Sequence, residues 1–140
     1  MNLIHTSLSN DWDDAFWAKW DNFLTENPSA YLDSRSVKAA LDVPQRVLRA
    51  LCWVDHSSNI LGVATTEDTA AVSQSKGQFL KADRPVFKLA QRYLYRGDGK
   101  FKLNIRVLGM VLSSGDHAYR FSDNLSKEEI YNAIDEAVYL

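Results

Sequence analysis

Cysteine, proline and long apolar runs are all scarce in this chain of 140 residues. Cys52 is the single cysteine, which excludes an internal disulfide framework and fits a reducing compartment. The stretch Ala50-Leu51-Cys52-Trp53-Val54 around it alternates like a strand, so Cys52 reads as a small core residue. The longest apolar run, Val107 to Leu112 with Gly109 inside it, falls far short of the roughly 20 residues that span a bilayer. Met1-Asn2-Leu3-Ile4-His5 has no basic stretch leading into an apolar one, so a secretory leader is not expected and the cytoplasm is the predicted location. The three histidines, His5, His56 and His117, are scattered and lack ligand spacing, so no metal site is expected.

The composition is that of a folded domain, with 46% apolar and 24% charged residues, and residues 1–140 read as one α/β domain. The net charge of −2 is unevenly spread: residues 76–106 hold nine Lys or Arg against two Asp. Tyr93, Tyr95 and Phe101 lie among those bases. Such a segment suits an anionic partner, either nucleic acid or a lipid headgroup, and also suits a solvated helix face.

Periodicity outlines the elements. Leu3 to Leu8 suits a first strand, and Asn10 an N-cap ahead of Asp11, Asp13 and Asp14. Trp12, Phe16, Trp20 and Phe23 then mark one face of a helix that ends at Asn27-Pro28. A second helix starts at Ser34, buries Val37, Ala40 and Leu41, and stops before Pro44. Arg46–Val54 and Ile60–Thr66 read as strands joined through His56-Ser57-Ser58-Asn59, with Glu67-Asp68 as a strand-end loop. After an irregular stretch from Gly77 to Arg84, a helix opens at Pro85, carries the basic stripe Lys88, Arg92 and Arg96, and ends at Gly97-Asp98-Gly99. Leu103 to Leu112 is expected as a central strand and His117 to Phe121 as another. Ser126-Lys127-Glu128-Glu129 is a capping box opening a helix with Ile130, Ile134, Ala137 and Val138 on its apolar face. That helix reaches Leu140 without a glycine or proline stop, which fits a chain ending at a packed helix and equally the front of a longer protein. Two helices bearing Trp12, Phe16, Trp20 and Val37, Leu41 are expected to pack on the sheet.

Chemistry-bearing motifs are incomplete. Ser113-Ser114-Gly115-Asp116-His117 places serines beside a histidine in a small-residue turn, which fits a plain turn and also an anion contact. Arg96-Gly97-Asp98-Gly99-Lys100 lacks the spacing of a phosphate loop. Arg106-Val107-Leu108-Gly109-Met110-Val111 begins like the [QR]-x-x-G-x-[GA] pyrophosphate turn of acyl-CoA-dependent N-acetyltransferases, but Val111 stands at its final small position.

From Glu67 to Phe121 the chain resembles the first half of large GNAT-type, FemAB-like acyltransferase proteins. There a hydrophobic strand ending near a glycine leads to a Gly-[DE]-His turn, an aromatic strand and an acid-rich helix. Trp20 to Leu41 resembles the usual opening, a Trp-containing helix, an Asn-Pro break and a second helix. The resemblance implies a mixed, mainly antiparallel sheet flanked by helices in the order β-α-α-β-β-(α)-β-β-α. It also implies N-acyl transfer from acyl-CoA to an amine, with Arg106, Gly109, Ser113, Ser114, Gly115 and His117 as candidate acyl-CoA contacts. In that chemistry the amine attacks the thioester directly, and the protein supplies orientation and amide donors. The strands that would complete the acyl-CoA cleft are absent, so the chain alone is expected to be inactive. A homodimer or a missing C-terminal half is the expected partner, with the exposed edge of the Leu103–Leu112 strand as the joint. The alternative is a non-catalytic module that binds an anionic partner through residues 76–106.

Overall fold

The computed structural model describes residues 1–26, 28–29, 31–73, 101–110 and 118–140, with backbone alone at 70–73 and 101–103. Their elements run β1 (Asn2–Thr6), α1 (Asp14–Glu26), α2 (Ser34–Leu41), β2 (Val47–Val54), β3 (Ile60–Ser73), β4 (Phe101–Leu108), β5 (Tyr119–Phe121) and α3 (Lys127–Val138). The five strands form one sheet in the order β1-β2-β3-β4, with β5 also on β3. Pairing is antiparallel wherever its register is defined, between β1 and β2, β2 and β3, and β3 and β5. A mixed α/β fold with a mainly antiparallel sheet is therefore present. The expected basic helix, Pro85 to Arg96, lies outside the described residues.

Two compact units divide the chain. The first joins Met1–Asp68 to Arg106–Leu140, and the second, Thr69–Ile105, contains the far parts of β3 and β4.

Strand alternation gives the first unit two cores. Leu48, Ala50, Cys52 and Val54 of β2 and Val63 of β3 face α1 and α2. Leu51, Trp53, Ala64 and Phe121 face α3, where Ala133 and Ala137 are the fully covered helix residues. Two alanines one turn apart let the helix axis approach the sheet, while Ile130 and Ile134 flank the contact half-buried. Val138, expected on the apolar face, is half exposed because it ends the last turn beyond that contact.

Several expected boundaries shift for local reasons. β1 stops at Thr6, whose hydroxyl donates to Asp11 at 2.5 Å, accepts the Leu8 amide at 3.1 Å and turns the chain. Asp13, not Asn10, caps α1, accepting the Phe16 amide at 2.7 Å. The buried line of α1 is Trp17, Trp20 and Leu24. Trp12, Phe16 and Phe23 flank it half-buried, Trp12 from the loop ahead of the helix. Trp20 donates its indole N–H to Leu32 O at 2.6 Å, pinning the interhelical loop. α2 matches its expected span and buried face, capped by Asp33.

The β2–β3 turn falls where expected, organised by the Asp55 carboxylate, which accepts the Ser57 and Asn59 amides at 2.7 and 2.8 Å. Ser58 takes a positive φ of 63° there. β3 then continues past Thr66 to Ser73, so Glu67 and Asp68 are strand residues opposite Leu48 and Val47, not a loop. Among the described strands β4 stands at the end of the sheet order rather than at its centre, and it stops at Leu108. Gly109 leaves the strand with a φ of 98°, a value glycine tolerates, and Met110 turns into the α1–α2 core.

Candidate functional site

Beyond the two apolar cores, the first unit gathers charge at one level of the sheet, where β2 begins and β3 moves away from it. Glu67 and Asp68 are consecutive in β3 and therefore project to opposite faces. Toward α1 and α2, Arg46 forms a two-pronged pair with Glu67, Nε to Oε1 at 2.6 Å and Nη2 to Oε2 at 2.7 Å. Both side chains are mostly buried, and the carboxylate holds the Arg46 proton more firmly than usual.

On the α3 face, Asp68 receives two guanidinium groups. Arg106 of β4 donates Nε to Oδ1 at 2.6 Å and Nη2 to Oδ2 at 3.0 Å, and Arg49 of β2 donates Nη1 to Oδ2 at 2.8 Å. The Arg106 bonds, then those of Arg49, hold the Asp68 carboxyl well below the usual carboxylate range. Arg106 also donates Nη1 to Val138 O at 3.2 Å, at the C-terminal end of α3. α3 has two glutamates in its first turn and no basic residue in its last, so the cation at its negative end comes from the sheet.

Thr65 of β3 ties β4 and β5 to one edge. Its carbonyl accepts the Gly109 amide at 2.6 Å, and its own amide donates to Ala118 O at 3.3 Å. The chain thus leaves the outer edge of β3 and returns to it at the same residue. The hydroxyls of Thr65 and Thr66 are buried without hydrogen-bond partners among the described residues.

The residues singled out in the sequence fare unequally. Arg106 and Gly109 do lie close along β4, but each is engaged inside the fold, Arg106 with Asp68 and Val138, Gly109 with Thr65. Three of the five Arg106 N–H groups are thus spent on Asp68 and Val138, and the Gly109 amide on Thr65. Ser113, Ser114, Gly115 and His117 lie outside the described residues, as does the basic stretch up to residue 100. Cys52 is fully buried, and burial pushes its thiol up to about 12, as a core residue requires. Asp11 to Asp14 serve the start of α1. Among the described residues no three His, Cys, Asp or Glu side chains gather as a metal-binding group, and no helix is long and apolar enough to cross a membrane.

Arg46 and Arg49 escaped the sequence reading. The signal was present in the hairpin: its register sets Arg49 opposite Thr66 and Val47 opposite Asp68, so Arg49 is a diagonal neighbour of Asp68 on one face. Comparison with protein-family models, with curated proteins and with solved structures returns no match to this chain.

Proposed function

We propose that the chain is an acyltransferase-like domain of the GNAT/FemAB type, serving N-acyl transfer from acyl-CoA to an amine in a longer or assembled form. One observation supports the reading above others: a first strand, two helices packed on one sheet face, and then strands laid down in consecutive order, β1-β2-β3-β4. The described elements are compatible with the order that the sequence resemblance implies. The proposed acyl-CoA contacts are Arg106, Gly109, Ser113, Ser114, Gly115 and His117, with Arg106 also bound to Asp68 and Val138.

Calorimetric titration with acetyl-CoA, on this chain and on a longer or assembled form, tests the reading. Saturable binding is expected in both, with turnover of an amine acceptor only in the longer form. Absence of binding in both would remove the acyltransferase reading.

A further inference from the structure

Thr66 stands directly opposite Arg49 in the β2–β3 register, and Asp68 follows Thr66 by one pleat on the same face. Thr66 is 2% exposed, and its hydroxyl has no hydrogen-bond partner among the described residues. A hydroxyl sealed from water without a partner is unfavourable, and in native structures such a group usually has a reason. Arg49 beside it is also under-used. Its side chain is 20% exposed, and Nη1 to Asp68 at 2.8 Å is its hydrogen bond among the described residues. A guanidinium carries five N–H donors in a planar fork, so most of this one has no acceptor among the described residues. Asp68 does not neutralise it fully, because Arg106 already engages both oxygens of that carboxylate. The cluster of Arg49, Asp68 and Arg106 therefore carries one excess positive charge.

Two neighbouring groups that donate hydrogens, with an uncompensated positive charge between them, call for an acceptor-rich anion. We propose that Arg49 and Thr66 form a binding site for a single oxyanion group, a carboxylate or a phosphate, beside the Arg106–Asp68 pair. The anion accepts from the remaining N–H groups of Arg49 and from the Thr66 hydroxyl, and it cancels the excess charge. The hydroxyl is closed to solvent, so the anion enters as the Arg49 side chain rotates outward and then closes over it. Arg106 stays on Asp68 and Val138, which makes this site independent of the acyl-CoA reading.

The test is titration with inorganic phosphate and, separately, acetate, followed by heteronuclear NMR shifts and by thermal unfolding, against sodium chloride at equal ionic strength. Saturable binding is expected for at least one anion, and which one binds separates a phosphate source from a carboxylate source. Thr66→Val keeps the side-chain shape and removes the unpartnered hydroxyl. It should raise the unfolding midpoint without ligand and weaken anion binding about tenfold or more. Arg49→Gln should abolish binding. General salt effects act on all three proteins alike, so the difference between them carries the result. If neither anion binds beyond the chloride control, or if wild type and Thr66→Val bind equally, the site does not exist. That judgement stands even if Arg49→Gln fails to fold.

Discussion

Gly62 sits near the start of β3, between Trp53 on one neighbouring strand and Phe121 on the other. The two rings meet across it, with centroids 4.9 Å apart and planes at 44°. A Cβ added at Gly62 would lie well inside van der Waals contact with Cδ1 and Cε1 of Phe121. Its backbone φ is not in the left-handed region, so an alanine there is strained by the ring and not by the chain. Gly62→Ala therefore combines two opposing effects. Relief of unfolded-chain entropy stabilises by about 0.4–1 kcal/mol, and displacing a packed ring costs about 1–3 kcal/mol. The net expectation is destabilisation by about 1–2 kcal/mol in the wild-type background. Phe121 is 8% exposed, and Phe121→Ala alone should cost about 3–5 kcal/mol. In that background the clash is gone, so Gly62→Ala should change sign and stabilise by about 0.5 kcal/mol. Urea unfolding of the four proteins, followed by tryptophan fluorescence, closes the cycle. Phe121→Leu serves as a milder background should Phe121→Ala unfold. An equal effect of Gly62→Ala in both backgrounds would refute the account of Gly62 as room for the ring.

Three further outcomes follow from single groups. Asp68 has a lower pKa folded than the ordinary carboxylate value of about 3.9, so its ionised form adds stability at neutral pH that is lost as pH falls below about 4; Asp68→Asn should lower stability at pH 7 and flatten the acid limb of the stability–pH curve, and an unchanged limb would count against the pair. Ser126→Ala removes the capping-box hydroxyl that accepts the Glu129 amide at 3.3 Å, and should cost about 1 kcal/mol, read as a lower urea midpoint with an unchanged slope. The Cys52 thiol should resist a disulfide reagent at pH 8 in the native chain and react only on unfolding, and rapid native labelling would show that the β2 core opens locally.

What was legible in the sequence was local. The capping box at Ser126, the span of α2 and the turn through Ser58 each depend on residues within a few positions, and each stands where expected. The aromatic stripe of α1 was centred beside its true line because Trp12, Phe16 and Phe23 are as apolar as the buried residues and differ in where the helix starts, which Asp13 decides. The apolar run through Val107 reads as a central strand by composition, yet Gly109 leaves the sheet and Met110 fills the opposite core, so only part of that run is strand. Glu67 and Asp68 read as a loop because charge is rare in a buried strand, and the residues that permit it lie far along the chain. Arg46 is 21 residues from Glu67, and Arg106 is 38 from Asp68. No local window contains both members of either pair.

Those pairs also explain why two carboxylates in succession need three arginines. A strand sends neighbours to opposite faces, so Glu67 and Asp68 cannot share a counterion. Arg46 and Arg49, three apart in sequence, have opposite parity and reach opposite faces in the same way. The Glu67 pair closes the α1–α2 core, and the Asp68 pair closes the α3 core at the same level. Asp68 and Arg106 are also the residues at which the first compact unit ends on β3 and resumes on β4. Their bond therefore seals that unit at its last residue on each strand and fixes the end of α3 through Val138. A guanidinium with this double duty leaves Arg49 as the cation with more donors to share, which is why the anion site is proposed at Arg49 and Thr66.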